Sequence, residues 1–317
     1  MWGVGVKAIA LDEFGGPEVL SLRELPDPVV GPDSVLIGVR AAGVNPVDFK
    51  IRAGALRRGF PHHTPLIPGW DVAGVVVAAG PAVTGFAEGD AVFGYVRKDY
   101  VQHGTYAELV TATERMVARK PTELSFEEAG ALPLAGLTAL QALHAARVGA
   151  GDAVLVHAAA GGVGHLAVQL ARQLGAARIF GTASERNHDF VRSLGAEPVS
   201  YGDGLAERLA EAAGGDGKVD VALDFVPASS DALDVSTGLV RDPARLVSIG
   251  DPAKVLGLGG RYVFVRPDAA QLEWLAQLAD AGALRVEVQQ AFPLAAAADA
   301  HRLLAEGHVR GKLVLTV

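Results

Sequence analysis

The chain has 317 residues, 50% of them hydrophobic and 20% charged, with 36 acidic against 28 basic side chains and a net charge of −8. That balance, without a dense Lys/Arg cluster, argues against nucleic acid or an anionic membrane as a partner. The absence of cysteine excludes disulfides, cysteine-ligated zinc and a cysteine nucleophile. No apolar run reaches the roughly 18 residues needed to span a bilayer, and Met1 to Leu11 lacks the pattern of a signal peptide. The expectation is a soluble, cytoplasmic globular protein of about two domains.

From Val4 to about Arg119 the chain reads as short strands and turns. Lys7 to Leu11 alternates, Gly15-Gly16-Pro17 turns, and Val35 to Ala42 is a second strand candidate after the irregular, proline-marked connection of Pro26, Pro28 and Pro32. Asn45-Pro46 opens a short helix, Val47 to Ala53, ended by Gly54. Phe60 to Pro68, with three prolines, reads as loop; Gly69 to Ala79, Ala91 to Tyr95 and Thr105 to Val110 read as further strands. Together they predict a barrel-like β domain.

The grammar changes at Pro121. Ser125 has the form of an N-cap followed by acids, and a second helix is predicted from Leu137 to Ala146. Strands at 153–157, 177–182, 197–200, 219–225 and 245–249 then alternate with helices at 162–175, 187–194, 204–213 and 229–239. That rhythm predicts a doubly wound α/β domain with a parallel sheet. A strand at Tyr262 to Val265, a helix from Asp268 to Ala281, a strand at Val286 to Gln290, a helix from Leu294 to Glu306 and a last strand, Lys312 to Val317, complete the chain. The predicted division is 1–120 plus 285–317 for the β-rich domain and 121–284 for the nucleotide-binding domain.

The first of the alternating strands runs into Ala158-Ala159-Ala160-Gly161-Gly162-Val163-Gly164 and then a helix. In that context a small-residue turn predicts dinucleotide binding: bare backbone admits a pyrophosphate, and the N–H groups of the first helical turn receive it. Ala159 stands where the usual motif has its first glycine, with Gly161 and Gly164 as the second and third.

Several segments, in order and at matching spacing, carry a family resemblance. They are Ala42-Gly43-Val44-Asn45-Pro46-Val47-Asp48, Pro68-Gly69-Trp70-Asp71-Val72-Ala73-Gly74, Gly104-Thr105-Tyr106-Ala107-Glu108, Leu137-Thr138-Ala139, the Ala-Gly-Gly-Val-Gly turn, and the closing Gly311-Lys312-Leu313-Val314-Leu315. With them the chain resembles the medium-chain dehydrogenase/reductase superfamily, in its zinc-free, quinone-oxidoreductase-like branch. The resemblance implies a GroES-like β domain beside a Rossmann domain. The zinc-dependent alcohol dehydrogenases of that superfamily need cysteine where this chain has Asn45, histidine where it has Trp70, and a second cysteine near Ala135. None of these replacements builds an open three-ligand zinc site, and the adjacent His62 and His63 lack a third ligand in spacing. No metal is expected.

By the same resemblance the expected activity is NADPH-dependent reduction of quinones or α,β-unsaturated carbonyls by direct hydride transfer. Asn45 is the first candidate to meet the nicotinamide ribose or the substrate oxygen, with an Asn-Pro turn as its other reading. Lys50 is a second candidate, as a positive donor or as a surface lysine. Asp48 is expected to tie the loop to backbone N–H groups, while Phe49, Phe60 and Trp70 line a pocket or fill the core. On the cofactor side the candidates are Thr138, Ala160, Gly161, Gly162 and Val163, then Ser248-Ile249-Gly250, Phe264 and Val265 at the nicotinamide. Asp224 ends a strand at the same edge or caps the next segment. Lys312 matches a family lysine near the cofactor or is a surface group.

An acid at the end of the second strand would select NAD. Here that position is Ala183, followed by Ser184, Glu185 and Arg186, which leaves room, a hydroxyl and a positive charge for a 2′-phosphate and predicts NADPH over NADH. Tyr201, after the third strand, resembles a family position that meets the same phosphate or is an ordinary strand-end tyrosine. Two alternatives remain: an enoyl-thioester reductase, for which Arg57 and Arg58 would have to form a basic entrance, and a non-catalytic NADPH-binding protein. A homodimer through the Tyr262 to Val265 edge is expected.

Overall fold

The computed structural model describes residues 5–226 and 231–317. In chain order the elements are β1 (Val6–Ala10), β2 (Ser21–Leu25), β3 (Ser34–Val44), α1 (Pro46–Arg52), β4 (His62–Ile67), β5 (Asp71–Ala79), β6 (Ala91–Tyr95), β7 (Val101–His103), β8 (Leu109–Thr113) and β9 (Val117–Arg119). Then come α2 (Phe126–Ala131), α3 (Pro133–Ala145), β10 (Ala153–Val156), α4 (Gly164–Gln173), β11 (Arg178–Ala183), α5 (His188–Leu194), β12 (Glu197–Ser200), α6 (Leu205–Ala213), β13 (Val221–Asp224) and α7 (Ala232–Leu239). The chain closes with β14 (Leu246–Ser248), α8 (Pro252–Gly257), β15 (Arg261–Tyr262), α9 (Ala269–Asp280), β16 (Val288–Pro293), α10 (Ala297–Ala305) and β17 (Lys312–Thr316). The predicted start of the helix at 229 lies outside the described residues.

Two compact units share these elements. One takes the chain up to Leu134 with Arg266–Gly282 and Val286–Val317; the other takes Ala135–Val265 with Ala283–Arg285. The boundaries differ from the expected ones for a packing reason. Helix α2 lies against β3 and β5, and α9 lies against β9, so both belong to the β unit.

In the β unit, β3 is long enough to serve three neighbours. It pairs with β5 along one edge, while β8 takes residues 34–38 and β17 takes residues 41–44 of the other. The seven-stranded sheet is completed by β6, β9 and β16. Its apolar faces meet in one cluster that includes Ile9, Val35, Ile37, Val39, Val72, Val92, Tyr106, Leu313 and Leu315.

The structure corrects three expectations. Phe60 to Pro68 is not loop throughout: its middle, His62–Ile67, is β4, which pairs in parallel with β7, and Leu66 exchanges both backbone bonds with Leu11. Proline is tolerated on such an edge. The strand expected at Thr105 to Val110 starts later, at Leu109, because Thr105 and Tyr106 turn inward against Gly69. The strand expected at Tyr262 to Val265 keeps only Tyr262 in the ladder, with Arg261 before it.

The second unit carries a six-stranded parallel sheet in the order β12-β11-β10-β13-β14-β15. Counted within the unit this is 3-2-1-4-5-6, the doubly wound dinucleotide-binding order, with β10 at the switch point. Val154, Leu155 and Val156 are fully buried, as a strand covered on both faces requires.

Candidate active site

The turn after β10 is built around Ala158, which takes the left-handed conformation at φ 54°. Two bonds to Thr182 on the neighbouring strand hold it: the Ala158 N–H donates to Thr182 Oγ1 at 3.1 Å and the Ala159 N–H to the Thr182 carbonyl at 2.9 Å. Gly164 then passes directly over the Ala158 carbonyl; a Cβ there would stand 2.1 Å from that oxygen. The helix therefore begins against the strand, as the third glycine of the motif is expected to allow. Among the described residues no carbonyl accepts the N–H groups of Gly162 or Val163. A side-chain-poor turn with unclaimed donors at a helix start fits a pyrophosphate.

His157, at the end of β10, bridges Thr182 Oγ1 (3.3 Å) and Ser236 Oγ on α7 (2.8 Å) through its two ring nitrogens. Burial pushes its pKa down to about 4, so it is neutral. Nothing in the sequence signalled this bridge, because its partners lie 25 and 79 residues away.

The register of β11 on β12 sets Ala183 opposite Ser200. Ser184 and Tyr201 are thus the next residues on adjacent strand ends, and Arg186 follows one residue beyond Glu185. Asn187 Nδ2 donates to Ser184 Oγ at 3.3 Å, Arg186 is exposed, and Tyr201 is 59% exposed. The register thus sets Ser184 and Tyr201, two of the candidates for the 2′-phosphate, on neighbouring strand ends, with Arg186 two residues beyond Ser184. Across the sheet, Asp224 Oδ2 accepts the Ser248 hydroxyl at 2.7 Å, and Ser248 Oγ in turn accepts the Gly250 N–H at 3.0 Å. Asp224 Oδ1 accepts the N–H of Val226 at 3.2 Å, so it caps the strand end; burial raises its pKa. Thr138 is buried on α3, Val265 is buried, and Phe264 is 45% exposed.

In the β unit a second set of polar groups converges, almost wholly out of solvent. Asn45 is 2% exposed; its Nδ2 donates to Asp71 Oδ2 at 2.8 Å and its Oδ1 accepts from Lys312 Nζ. Lys312 is 4% exposed and also donates to the Val44 carbonyl at 3.1 Å, which removes it from the surface role. Asp71 Oδ1 accepts the Leu134 N–H at 2.7 Å. Asp48 Oδ2 accepts the backbone N–H of Asn45 at 2.8 Å, as expected, and the Tyr106 hydroxyl at 3.1 Å. Beyond Tyr106 lie His301 Nε2 (3.2 Å) and, on its other nitrogen, Arg52 (3.3 Å). Burial pushes Asp48 up to about 7 and Asp71 up to about 6, Lys312 below the usual lysine value, and His301 down to about 3.

Sequence reasoning named Asn45, Asp48 and Lys312 but missed Asp71, Tyr106 and His301 as members of one network. Asp71 and Tyr106 stood inside quoted motifs, which was the available signal. Lys50 is exposed on the last turn of α1 and is not part of the network.

Trp70, at the position of the missing zinc histidine, is buried against Tyr95 (6.0 Å between rings) and Phe60 (6.4 Å). Phe49 is half-buried. His62 faces Phe14 and His63 faces Tyr100, so the two rings diverge. Among the described residues no group of three or more His, Cys, Asp or Glu side chains is placed to hold a metal, and no helix is long and apolar enough to cross a membrane.

Comparison with known proteins agrees with this geometry. Residues 31–122 match the alcohol dehydrogenase GroES-like domain and residues 194–315 the zinc-binding dehydrogenase domain. The chain is 34% identical over 319 residues to the chloroplastic NADPH-dependent alkenal/one oxidoreductase of Arabidopsis thaliana, covering 98% of this chain and 79% of that protein. It is 33% identical over 334 residues to the quinone oxidoreductase of Homo sapiens, covering 98% and 97%. The solved quinone oxidoreductase of Coxiella burnetii matches with a TM-score of 0.86 at 36% identity, covering 98% of this chain and 99% of that one. A GroES-like domain and a Rossmann domain make up the fold, and the chain belongs to the medium-chain dehydrogenase/reductase superfamily, in its zinc-free quinone-oxidoreductase-like branch.

Proposed function

We propose that this protein is an NADPH-dependent oxidoreductase that reduces quinones or α,β-unsaturated carbonyls without a metal. The observation that carries it is the turn at Ala158–Gly164, whose backbone fits a pyrophosphate, on a chain whose relatives are named as alkenal/one and quinone oxidoreductases. Bound there, NADPH supplies the hydride. The chain's own residues position it: Ala160, Gly161, Gly162 and Val163 at the pyrophosphate, Ser184, Arg186 and Tyr201 at the 2′-phosphate, and Thr138, Gly250, Phe264 and Val265 toward the nicotinamide.

In the β unit Asn45 is the group offered to the nicotinamide ribose or the substrate oxygen. Asp71 takes one of its amide protons and Lys312 one of its lone pairs, which fixes the orientation of the amide. Conjugated acceptors spread the developing charge over oxygen and carbon, so a hydrogen bond of this kind suffices where an isolated ketone would want a metal. Lys50 is the second candidate donor, through its exposed ammonium. The metal-free reading is supported by Asn45 and Trp70 at ligand positions, neither a zinc ligand.

The functional unit is a homodimer, supported by β15 at the open edge of the six-stranded sheet and by the exposed Phe264 just beyond it. A cytoplasmic location goes with the same reading. Arg57 and Arg58 are exposed, and Arg57 lies over the Phe14 ring 4.9 Å away, which gives no support to a coenzyme-binding entrance.

NADPH oxidation against a panel of quinones, enals and enoyl thioesters tests the assignment. Turnover with quinones or enals is the expected result; turnover confined to thioesters, or tight NADPH binding without turnover, would replace it.

A further inference from the structure

Beyond β12 the chain turns through Tyr201, Gly202, Asp203 and Gly204 into α6, with Gly202 and Gly204 both left-handed at φ 91° and 76°. A single side chain closes this turn. Arg208, in the first turns of α6, donates from Nε and Nη2 to the Ser200 carbonyl at 3.1 and 2.8 Å and from Nη1 to the Asp203 carbonyl at 2.7 Å. Its Nη2 also stands 3.5 Å from the Tyr201 carbonyl and 3.3 Å from that of Gly202. Four consecutive carbonyl oxygens thus face one guanidinium.

Carbonyl oxygens gathered at a strand end would repel a phosphate, and a planar, permanently charged fork neutralises them while fixing their directions. The same fork fixes the backbone on which Tyr201 stands. Ser200 Oγ is in addition 3.3 Å from His188 Nε2, at the start of α5, two residues after Arg186. The turn that Arg208 holds is therefore tied to the turn that presents Ser184 and Arg186.

We propose that Arg208 is a positioning residue for cofactor selectivity: by clamping the β12–α6 turn it holds Tyr201 opposite Ser184 and Arg186, so that the 2′-phosphate of NADPH is preferred to the free 2′-hydroxyl of NADH. This rests on the assignment of those three residues to the 2′-phosphate. Arg208 itself acts through Tyr201 and the turn.

The test is calorimetric titration of the full-length protein and of Arg208→Met, Arg208→Lys and Arg186→Ala with 2′-phospho-ADP-ribose and with ADP-ribose, alongside thermal melts. Arg208→Met is expected to weaken 2′-phospho-ADP-ribose about tenfold and ADP-ribose less than twofold, the scale of one lost charge-assisted contact. Arg208→Lys, which keeps the charge but not the fork, is expected to lose at least threefold of the selectivity. Should Arg208→Met not fold, Arg208→Lys carries the test alone. An equal loss for both ligands, or unchanged selectivity in both Arg208 variants while Arg186→Ala loses it, would overturn the role of Arg208. Unchanged selectivity in Arg186→Ala as well would overturn the underlying assignment of the phosphate site.

Discussion

Asp71 Oδ2 accepts an amide proton of Asn45 at 2.8 Å, so that the residue standing at a zinc-ligand position is held by a carboxylate instead of a metal. On its other side the Asn45 carbonyl accepts from Lys312. The amide bridges an anion and a cation that are 3.9 Å apart and both out of solvent.

Removing the bridge is therefore costly. Asn45→Ala is expected to lower stability by about 3 kcal/mol, the scale for stranding buried charged partners, and to lower kcat/KM for any accepted substrate. Urea denaturation with parallel kinetics checks both. A stability loss under about 1 kcal/mol would show that Asp71 and Lys312 satisfy each other without it.

The buried groups also set opposing pH responses. Asp48 and Asp71, raised to about 7 and about 6, keep protons in the folded chain that the unfolded chain has released above 3.8. Their contribution is present at low pH and lost as pH rises through those values. His157 and His301, lowered to about 4 and about 3, stay neutral in the folded chain while the unfolded imidazoles charge below 6.5. Their contribution is present above 6.5 and lost as pH falls. Among these four groups two protons thus move each way between about pH 4.5 and 6, and their contributions to the urea midpoint are expected to cancel there. In Asp71→Asn the histidines prevail, and stability is expected to fall by about 1.4 kcal/mol per pH unit on acidification. A flat profile in that variant would contradict the assignment.

Gly164 is fixed by contact with Ala158. In Gly164→Ala the new Cβ meets a backbone oxygen at 2.1 Å, and backbone cannot rotate away as a side chain can. A loss of about 1–3 kcal/mol and at least tenfold weaker NADPH binding are expected, by thermal melt and calorimetry. Unchanged affinity would remove the turn from the cofactor site.

Chelation tests the metal-free account separately. Prolonged dialysis against EDTA or phenanthroline is expected to leave both the melting temperature and NADPH oxidation unchanged. A loss of either, restored by zinc, would mean that ligands are recruited despite Asn45 and Trp70.

The doubly wound unit was legible because its strands are continuous apolar runs and its glycine turn has a distinctive chemistry. β4 was not, since Pro61, Pro65 and Pro68 hide a strand that pairs only along an edge. β2 was not either, because Ser21–Leu25 is largely exposed and lacks an apolar alternation. The network around Asn45 illustrates a different limit. Tyr106 and His301 lie 195 residues apart, and Arg52 and His301 lie 249 apart. No local pattern marks a helical histidine as the partner of a tyrosine in the turn between β7 and β8. Motif spacing pointed to Asn45, Asp48 and Lys312; the burial that shifts the protonation of Asp48 and Lys312 is a property of the packed chain.

Direct hydride transfer is the claim on which the rest depends. Stereospecifically deuterated NADPH, labelled in turn at each face of nicotinamide C4, is to be turned over with an enone in ordinary water and the product examined by mass spectrometry and NMR. Deuterium at the β-carbon from one labelled face and none from the other is the predicted result. Label lost to water, or product formed without label from either face, would contradict it.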